Sequence, residues 1–599
     1  MPDPPVTDAE YDDVLGRAFD RRLAERLWKT ARPHHRLIWG SVGLFPLISL
    51  AELAQPYLLK VAIDDHILHA DWAGLTTVAL LYAAVLGLLY GLRLLEAFLM
   101  ALTGQGVIHD LRATLFAHLL RLEASFFDRT PVGRLMTRVL NDVEAVSEAF
   151  TSGLFAIVAD VVTLAGVVAV MLWMDWRLAL VTFAIVPVLF LVAGYFRIRA
   201  RDAYREVRRR LARLNAFLQE SIQGMAVIQL FARETHERAQ FQRLNDDYRR
   251  ALFTSTRFES SLYAAVEALG SVALAMLLWY GSGQILAGAL SFGALVAFIQ
   301  YTNRFFLPIR DLGAKYTVMQ AAMASAERIF GLLDRAPAIV SPLPSAAPSS
   351  TVREAGRVAF EGVWFAYEGE RWVLADCAFA VAPGEHVALV GTTGEGKSTC
   401  VRLLNRTWDV QRGRVLVDGV DVREWDLQRL RRHIGVIFQD PVLFTGTVEA
   451  NLAVDVNGAR SVAVEHALQT ANAAALIARL PHGLGTPLVE RAANLSHGER
   501  QLLAIARALV YNPAILVLDE ATSSVDPESE RMIREAMARL MAGRTTITIA
   551  HRLSTIQNAE RILVLHRGRI HEDGTHAELL RRGGLYARLH ELGAGAALG

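Results

Sequence analysis

The chain has little cysteine and almost no net charge, and both shortages narrow the classes of protein to which it can belong. Only Cys377 and Cys400 occur among 599 residues. Two cysteines without ligand-spaced histidines or acids exclude a disulfide-rich scaffold and a thiolate metal centre, so we expect two small, half-buried thiols in a reducing compartment. The formal net charge is +1, so the total favours no strongly charged partner, and we expect no nucleic acid.

Lysine is also scarce, and each lysine therefore needs a specific reason. Lys29, Lys60, Lys315 and Lys397 are the lysines among 62 basic residues, and the others are arginine. An ammonium is a compact point charge, whereas a guanidinium is a planar fork. A binding motif that retains lysine in this chain therefore indicates a need for the smaller cation, and Lys397 lies in such a motif.

Apolar residues make up 53% of the chain, and the excess lies almost entirely in the first half. A helix needs ~20 mostly apolar residues to cross a bilayer, and six runs have that length. No signal peptide is predicted ahead of them, because residues 1–36 contain no short apolar core or cleavage site. The predicted spans are 37–62, 74–100, 150–174, 177–196, 259–281 and 289–310.

The distribution of arginine between the spans predicts their orientation in a cell membrane. The connections 101–149 and 197–257 are rich in arginine, whereas 63–73 and 281–290 contain none. Positive loops stay in the cytoplasm, so we expect both termini and both long connections there. These connections have helical periodicity. Their tips, 123–135 and 215–231, are predicted to dock on a partner surface, the alternative being ordinary hairpin tips.

Ionisable residues within the spans carry a further prediction. Such groups are costly in lipid and usually face an aqueous cavity or each other. Glu52, Asp160 and Glu267 have no obvious local partner, which favours cavity lining over structural pairing. Arg93 and Glu96 are three residues apart and could pair on one helix face.

The second half of the chain has a different pattern. Residues 335–352 are rich in Pro, Ala and Ser without periodicity, which indicates a linker. Short apolar strands then alternate with helices, as is typical of an α/β domain. We therefore predict a cytoplasmic N-terminal segment with an elbow helix at 1–36, a transmembrane domain at 37–334, the linker at 335–352 and a nucleotide-binding domain at 353–599.

The stretch VALVGTTGEGKSTC, 387–400, fills the pattern G-x-x-x-x-G-K-[ST] between a predicted strand and a predicted helix. Its glycines let backbone N–H groups curl around phosphate oxygens, and the helix N-terminus adds a positive dipole. The Lys397 ammonium is predicted to bind the β- and γ-phosphates, and Ser398 to ligate Mg²⁺. The loop residues predicted to bind the nucleotide are Gly391, Thr392, Thr393, Gly394, Glu395, Gly396, Lys397, Ser398 and Thr399.

Other residues suited to phosphate chemistry follow further predicted strands. The run ILVLDE ends in Asp519 and Glu520, which are predicted to hold Mg²⁺ and to polarise the attacking water. His551 follows another strand, where its imidazole could reach the γ-phosphate, and Gln439 is available to the metal and the water. Upstream, Tyr367 offers an aromatic face on which a purine could stack.

In this order and spacing these motifs, together with LSHGERQ and SSVD, resemble the nucleotide-binding domain of an ATP-binding cassette (ABC) protein. The spans before them, with FFDRTPVGRLMTRVLNDVE and QESIQGMAVIQLFARE at the two tips, resemble an ABC exporter half-transporter. The resemblance covers about residues 20–590. It implies a membrane α-helical bundle of six spans with long cytoplasmic extensions, followed by an α/β P-loop ATPase domain. It further implies a dimer that holds two ATP molecules with Mg²⁺ in a lipid bilayer.

The resemblance also implies a role for each matching residue. Tyr367 stacks on adenine, Glu520 is the general base and His551 contacts the γ-phosphate. Gln439 couples the nucleotide state to the membrane half. Asp526 belongs to a loop that crosses the dimer interface.

One motif, NLSHGERQ at 494–501, departs from the family pattern L-S-G-G-Q. In the family, the serine and glycine amides contact the γ-phosphate of the ATP held by the other subunit. Ser496 and Gly498 are retained for that contact, but His497 replaces a glycine and Glu499 replaces the glutamine. A side chain at 497 crowds the phosphate and restricts the backbone. The Glu499 charge weakens nucleotide binding unless the carboxylate is turned away.

A complete phosphate loop beside a divergent signature predicts one half of a heterodimer that has one fast and one slow site. A homodimer with a tolerated variant is the alternative. We expect ATP-driven export of amphipathic or hydrophobic small molecules, lipids or peptides. A homodimeric lipid flippase, import on the same fold, and a non-transporting channel or regulatory subunit stay open, although the predicted base Glu520 argues against the last.

Overall fold

The structure, a computed structural model, describes residues 20–342, 356–453, 461–519, 527–549, 556–557 and 559–596. It divides into two compact units. The first comprises Met1–Leu120 and Val132–Arg335, and the second comprises Arg121–Pro131 and Ala336–Gly599. The segment 121–131 therefore groups with the C-terminal part of the chain.

The first unit is helical, since apolar runs in a bilayer must satisfy their backbone hydrogen bonds within the segment. Short 3₁₀ and π-helical turns at Arg32–His34, Ala62–Ile67, Arg138–Asp142 and Ala149–Leu154 join several of its helices. The helices up to residue 333, with α4 in the second unit, are α1 (Arg21–Ala31), α2 (His35–Val61), α3 (Trp72–Leu119), α4 (Ala124–Arg129), α5 (Val132–Thr137), α6 (Val143–Glu148), α7 (Phe155–Met174), α8 (Trp176–Phe183), α9 (Val186–Gln223), α10 (Met225–Leu230), α11 (Glu234–Leu286) and α12 (Phe292–Leu333).

Five helices in the described part of the chain are long and apolar enough to cross a membrane. The sixth predicted span, 289–310, lies in α12, which is 42 residues long but is not one of these five. Gln300, Asn303 and Arg304 interrupt its apolar run. The five are Arg21–Ile67, Trp72–Leu119, Val132–Met174, Trp176–Gln223 and Glu234–Leu286.

Two of the acidic residues within the spans are neutralised by ion pairs. Arg93 on α3 pairs with Glu52 on α2, and not with Glu96 as its spacing had suggested. Lys315 on α12 pairs with Asp160 on α7. Long-range pairing between helices, which a single sequence does not display, therefore supplies the partners that these two carboxylates lacked locally.

Glu267 is different, because it lines a cavity of about 440 Å³ between α11 and α12. Asn303 and Arg304 line the same cavity. The Arg304 guanidinium also donates a hydrogen bond to the Gln55 side chain at 2.7 Å. The prediction of cavity lining is thus confirmed for Glu267.

The second unit is an α/β domain with three sheets. Its strands are β1 (Val358–Phe365), β2 (Leu374–Val381), β3 (His386–Val390), β4 (Arg412–Val417), β5 (Val420–Asp421), β6 (Ile434–Ile437), β7 (Gly446–Thr447), β8 (Pro487–Leu488), β9 (Ile515–Asp519), β10 (Thr545–Ile549), β11 (Arg561–His566) and β12 (Arg569–Gly574). Its helices beyond residue 390 are α13 (Lys397–Leu404), α14 (Leu427–His433), α15 (Val448–Leu452), α16 (Ser461–Thr470), α17 (Ala474–Arg479), α18 (His497–Tyr511), α19 (Pro527–Met541), α20 (His576–Arg582) and α21 (Leu585–Ala596).

The central sheet has the strand order β12-β11-β3-β10-β9-β6, and β7 and β8 form a two-stranded sheet. In the central sheet, the strands from β11 to β6 are parallel, so their carboxyl ends meet at one edge. A second, antiparallel sheet has the order β2-β1-β4-β5. The apolar core between the two sheets contains both cysteines, which are free thiols and fully buried, not half-buried as expected.

Candidate nucleotide-binding site

The predicted phosphate loop lies at the carboxyl edge of the central sheet, between β3 and α13. Gly396, the N-cap residue of α13, has φ of 105°, in the left-handed region that favours glycine. A Cβ on Gly396 would also lie 2.7 Å from Leu374 Cδ2, and one on Gly391 would lie 2.4 Å from the Leu565 carbonyl oxygen. The close approach of neighbouring segments therefore requires glycine at both ends of the loop.

Lys397 is almost fully buried at the first position of α13. Its ammonium donates hydrogen bonds to the Gly391 carbonyl at 2.6 Å and to the Thr392 carbonyl at 2.9 Å. The cation is thus held across the mouth of the loop. The space between two loop carbonyls suits a compact ammonium, which is consistent with a lysine in a chain that otherwise uses arginine.

The residues predicted to hold Mg²⁺ stand at the same edge of the sheet. Asp519 is the last residue of β9, and Ser398 lies exposed in the first turn of α13. Gln439 follows β6, and its carbonyl lies 3.5 Å from the Gln501 side-chain nitrogen on α18. Because β3 and β9 both flank β10, their ends are ~10 Å apart. A hydroxyl, a carboxylate and an amide are oxygen donors of the kind that Mg²⁺ prefers.

Tyr367, the predicted adenine-stacking residue, is joined to α13. Its hydroxyl lies 3.0 Å from Thr399 Oγ1. Trp408 packs edge-on against its ring with centroids 5.0 Å apart, and the Arg402 guanidinium lies 5.7 Å from the ring centroid. The side chain of Thr399 is therefore turned towards the tyrosine, and the ring is fixed by groups on three sides.

The first predicted docking tip, helix α4, packs on this same part of the second unit. Arg129 donates a hydrogen bond to the Tyr367 carbonyl at 2.8 Å, and Asp128 pairs with Arg402 at 3.0 Å. Phe126 is buried. The second tip, around α10, presents exposed apolar side chains that include Leu230 and Phe231.

The signature turn opens α18 with a reciprocal pair of hydrogen bonds. The Glu499 N–H donates to Ser496 Oγ at 3.2 Å, and the Ser496 N–H donates to the Glu499 carboxylate at 2.8 Å. Arg479 lies 3.7 Å from the same carboxylate. The Glu499 charge is thus turned back onto the helix N-terminus, where it accepts a hydrogen bond from one of the amides that the family resemblance assigns to the partner's phosphate.

The other two signature residues face inwards. Gly498 is buried. The His497 Nε2 atom is buried without a hydrogen-bond partner among the described residues. A buried imidazole nitrogen without a hydrogen-bond partner costs free energy, so histidine in place of the family's glycine carries a desolvation cost at this turn.

Three predicted residues, Glu520, Asp526 and His551, lie outside the described residues. Two structural features within the described part escaped the sequence reasoning. Glu395 of the phosphate loop bonds to the turn after β11, for which the sequence carries no local signal. The Ser496–Glu499 pair does carry one, since S-x-x-E before an apolar helix is the spacing of a capping box.

Comparison with known proteins agrees with both halves of the chain. Residues 41–309 match the family described as ABC transporter transmembrane region, and residues 374–523 match the family described as ABC transporter. The ATP-dependent lipid A-core flippase of Thiobacillus denitrificans is 36% identical over 96% of this chain and 98% of its own length. The probable multidrug resistance ABC transporter ATP-binding/permease protein YheH of Bacillus subtilis is 37% identical over 84% of this chain and 74% of its own length.

Among solved structures, a bacterial Atm1-family ABC exporter with ATP bound superposes with a TM-score of 0.75. It is 32% identical, and the match covers 93% of this chain and 98% of that one. A helical membrane region and a glycine-loop ATPase domain are fused in one polypeptide, and the flippase relative and the solved exporter each match this chain over 98% of their own length. The chain belongs to the ABC exporters, multi-pass membrane proteins that bind ATP and couple its hydrolysis to transport.

Proposed function

We propose that this chain is one half of a heterodimeric exporter that moves amphipathic or hydrophobic molecules, such as drugs, lipids or peptides, across the cytoplasmic membrane. The observation that carries the heterodimer is the Glu499 carboxylate that accepts the Ser496 N–H. This contact places a negative charge at the helix end that would meet the partner's ATP. The phosphate loop of the same chain carries every residue that its motif requires.

In the proposed mechanism, the triphosphate of ATP enters the loop 391–396. The buried ammonium of Lys397 exchanges its two loop carbonyls for phosphate oxygens. Ser398, Asp519 and Gln439 would hold Mg²⁺, which neutralises charge on the phosphates when it is bound. Glu520 orients the attacking water and accepts its proton.

Three further roles complete the proposed site. The Tyr367 ring stacks on adenine. The His551 imidazole and the Asp526 loop complete the contacts of the γ-phosphate and of the dimer interface. Tyr367 contacts α4 through Arg129, so adenine bound on this ring would act directly on the helix that precedes the membrane span beginning at Val132.

The proposed orientation places the ATPase domain, the termini and the long helical connections in the cytoplasm. The arginine-rich connections support it. We also retain the proposed limits of 37–334 for the membrane domain, 335–352 for the linker and 353–599 for the nucleotide-binding domain. The protein would lie in the cell membrane.

The substrate class rests on the relatives and on the cavity of Glu267. Two relatives carry names of a lipid flippase and of a multidrug transporter, and both activities handle amphipathic molecules. A homodimeric lipid flippase is the second candidate, because the flippase relative matches along 98% of its own length.

Purification of the full chain with an affinity tag, with and without co-expressed candidate partners, tests the proposal. We expect a second, different ABC subunit to co-purify, and transport of dyes or lipids in proteoliposomes only with both chains present. A homodimer of this chain alone with rapid, substrate-stimulated ATP hydrolysis would overturn the heterodimer and favour the flippase.

A further inference from the structure

Glu395 is the acidic side chain of the phosphate loop, and its carboxylate contacts another loop residue and two residues at the end of β11 and in the turn after it. Thr392 donates its hydroxyl to Glu395 Oε1 at 3.0 Å. His566 Nδ1 lies 3.2 Å from the same oxygen, and the Arg567 N–H donates to Oε2. The carboxylate thus joins the loop before α13 to the turn between β11 and β12.

That turn is itself closely constrained. Arg567 has φ of 48°, which is unusual for a residue with a Cβ, and its N–H is the one that Glu395 accepts. A Cβ on the next residue, Gly568, would lie 2.6 Å from the Val373 carbonyl oxygen. Val373 in turn lies against Gly396, the loop residue that follows Glu395. The loop, the turn and the start of β2 therefore brace one another.

The charge of Glu395 makes this arrangement functionally significant. Burial alone would raise the pKa of this carboxyl, but the hydrogen bonds from Arg567 and Thr392 and the neighbouring His566 outweigh burial and hold the pKa below its ordinary value. Glu395 is therefore ionised at neutral pH. A free carboxylate in the loop would compete with the triphosphate for backbone N–H groups and would repel it.

We propose that Glu395 is a positioning residue that locks the phosphate loop onto the turn after β11, so that the loop is shaped for the triphosphate before ATP arrives. The inference rests on the proposed role of the loop in nucleotide binding. Preorganisation of this kind lowers the ordering cost of binding. It acts through hydrogen bonds that a neutral side chain of the same shape can also make.

The test is the Kd for ATP with Mg²⁺, measured on the purified full-length chain by calorimetric titration. Loss of a charge-assisted anchor corresponds to about a ten-fold effect. We expect Glu395→Ala to raise the Kd about ten-fold and Glu395→Gln to restore it to within about three-fold. The matched control is Glu385→Gln, which removes a carboxylate that faces Arg561 before β3 and should leave the Kd unchanged.

Unchanged or tighter binding by Glu395→Ala would overturn the proposal, and so would a Gln variant as weak as the Ala variant. If Glu395→Ala does not fold, His566→Ala, which removes a contact to Glu395 from outside the phosphate loop, should raise the Kd by about three-fold, and no change would overturn the proposal as well. The variant Lys397→Ala distinguishes a failure of the positioning role of Glu395 from a failure of the proposed nucleotide site. If Lys397→Ala binds ATP normally, the assignment of the nucleotide site is wrong. If Lys397→Ala does not bind ATP while Glu395→Ala binds it normally, only the positioning role of Glu395 is wrong.

Discussion

The phosphate loop and the signature turn both expose the N-terminus of a helix, and they treat it in opposite ways. Helix α13 begins after Gly396, which has no side chain with which to cap it. Helix α18 begins after Ser496 and carries its own anion, because the Glu499 carboxylate accepts the Ser496 N–H. A helix N-terminus attracts negative charge. The N-terminus of α13 is left available for a bound phosphate, whereas the N-terminus of α18 is capped by a carboxylate of its own chain.

An ordinary structural helix of the same domain shows which of the two is unusual. Helix α20 begins with Thr575 and Glu578, which form the same reciprocal capping box as Ser496 and Glu499. The signature turn therefore has the same capping geometry as a helix that contains no predicted site residue. The phosphate loop lacks such an internal cap, and this difference is the reason for proposing one competent and one impaired site.

The largest effect is expected from a substitution of the proposed general base, which acts on the ATP bound in the phosphate loop. Glu520→Gln is expected to lower kcat by about 10²–10⁴-fold, the range for loss of a general base, while ATP binding persists. Phosphate release by the full-length protein measures it. Glu370→Gln, at an exposed position, is the control, and transport at the normal rate by the Glu520 variant would contradict ATP-driven export.

The second-largest effect is expected from a substitution in the phosphate loop. Lys397→Ala removes a buried ammonium that donates hydrogen bonds to two loop carbonyls, and we expect ATP affinity to fall roughly 100-fold. Equilibrium binding of ATP is the measurement. Lys29→Ala, which removes an exposed lysine of α1, should bind as the unmodified chain does; equal losses in both variants would mean that the loop lysine has no special role.

Two substitutions in the signature turn should reduce the difference in ATP hydrolysis rate between the two proposed sites. Glu499→Gln keeps a side-chain oxygen that can cap α18 but removes the anion, and His497→Gly removes the buried, unsatisfied imidazole. Together they should speed the proposed slow site of the purified dimer about ten-fold, as measured by single-turnover hydrolysis. An unchanged slow phase would show that this turn does not limit that site.

The smallest effect separates capping from ligand binding. Ser496→Ala and Thr575→Ala each remove one capping box and should cost about 1 kcal/mol of local helix stability. Amide hydrogen exchange should therefore accelerate about five-fold in the first turns of α18 and α20. Only Ser496→Ala should also alter ATP turnover in the dimer; a change with Thr575→Ala would mean that the readout reports general destabilisation.

Local sequence signals predicted much of this architecture. The strand-loop-helix around Lys397 and the apolar spans follow from spacing and periodicity, which need no knowledge of distant contacts. The partners of Glu52 and Asp160 could not be predicted, because Arg93 and Lys315 are far away in sequence. Composition gave a different result for α12: the sequence predicts a span at 289–310, but this helix is not among the five in the described part of the chain that are long and apolar enough to cross a membrane.

In the candidate site too, residues in local motifs were predictable from the sequence, whereas contacts between distant segments were not. The glycines and the lysine of the phosphate loop were predictable from their motif. The anchoring of Glu395 by His566 and Arg567 depends on how β11 lies beside β3, which only tertiary structure reveals. The Glu499 cap was predictable in principle, since Ser496 and Glu499 are three residues apart, but the family pattern defines this position only by the glutamine that Glu499 replaces.

The two thiols in the core have a practical consequence. Cys377 and Cys400 are buried between the sheets of the second unit, and they are the cysteines of the chain. A maleimide spin label or fluorophore would therefore react with a cysteine introduced at an exposed position and leave the native pair untouched. The unmodified sequence is thus a ready background for spectroscopic distance measurements, with one label near Leu230 and another beside the signature turn reporting the opening and closing of the transporter in a lipid bilayer.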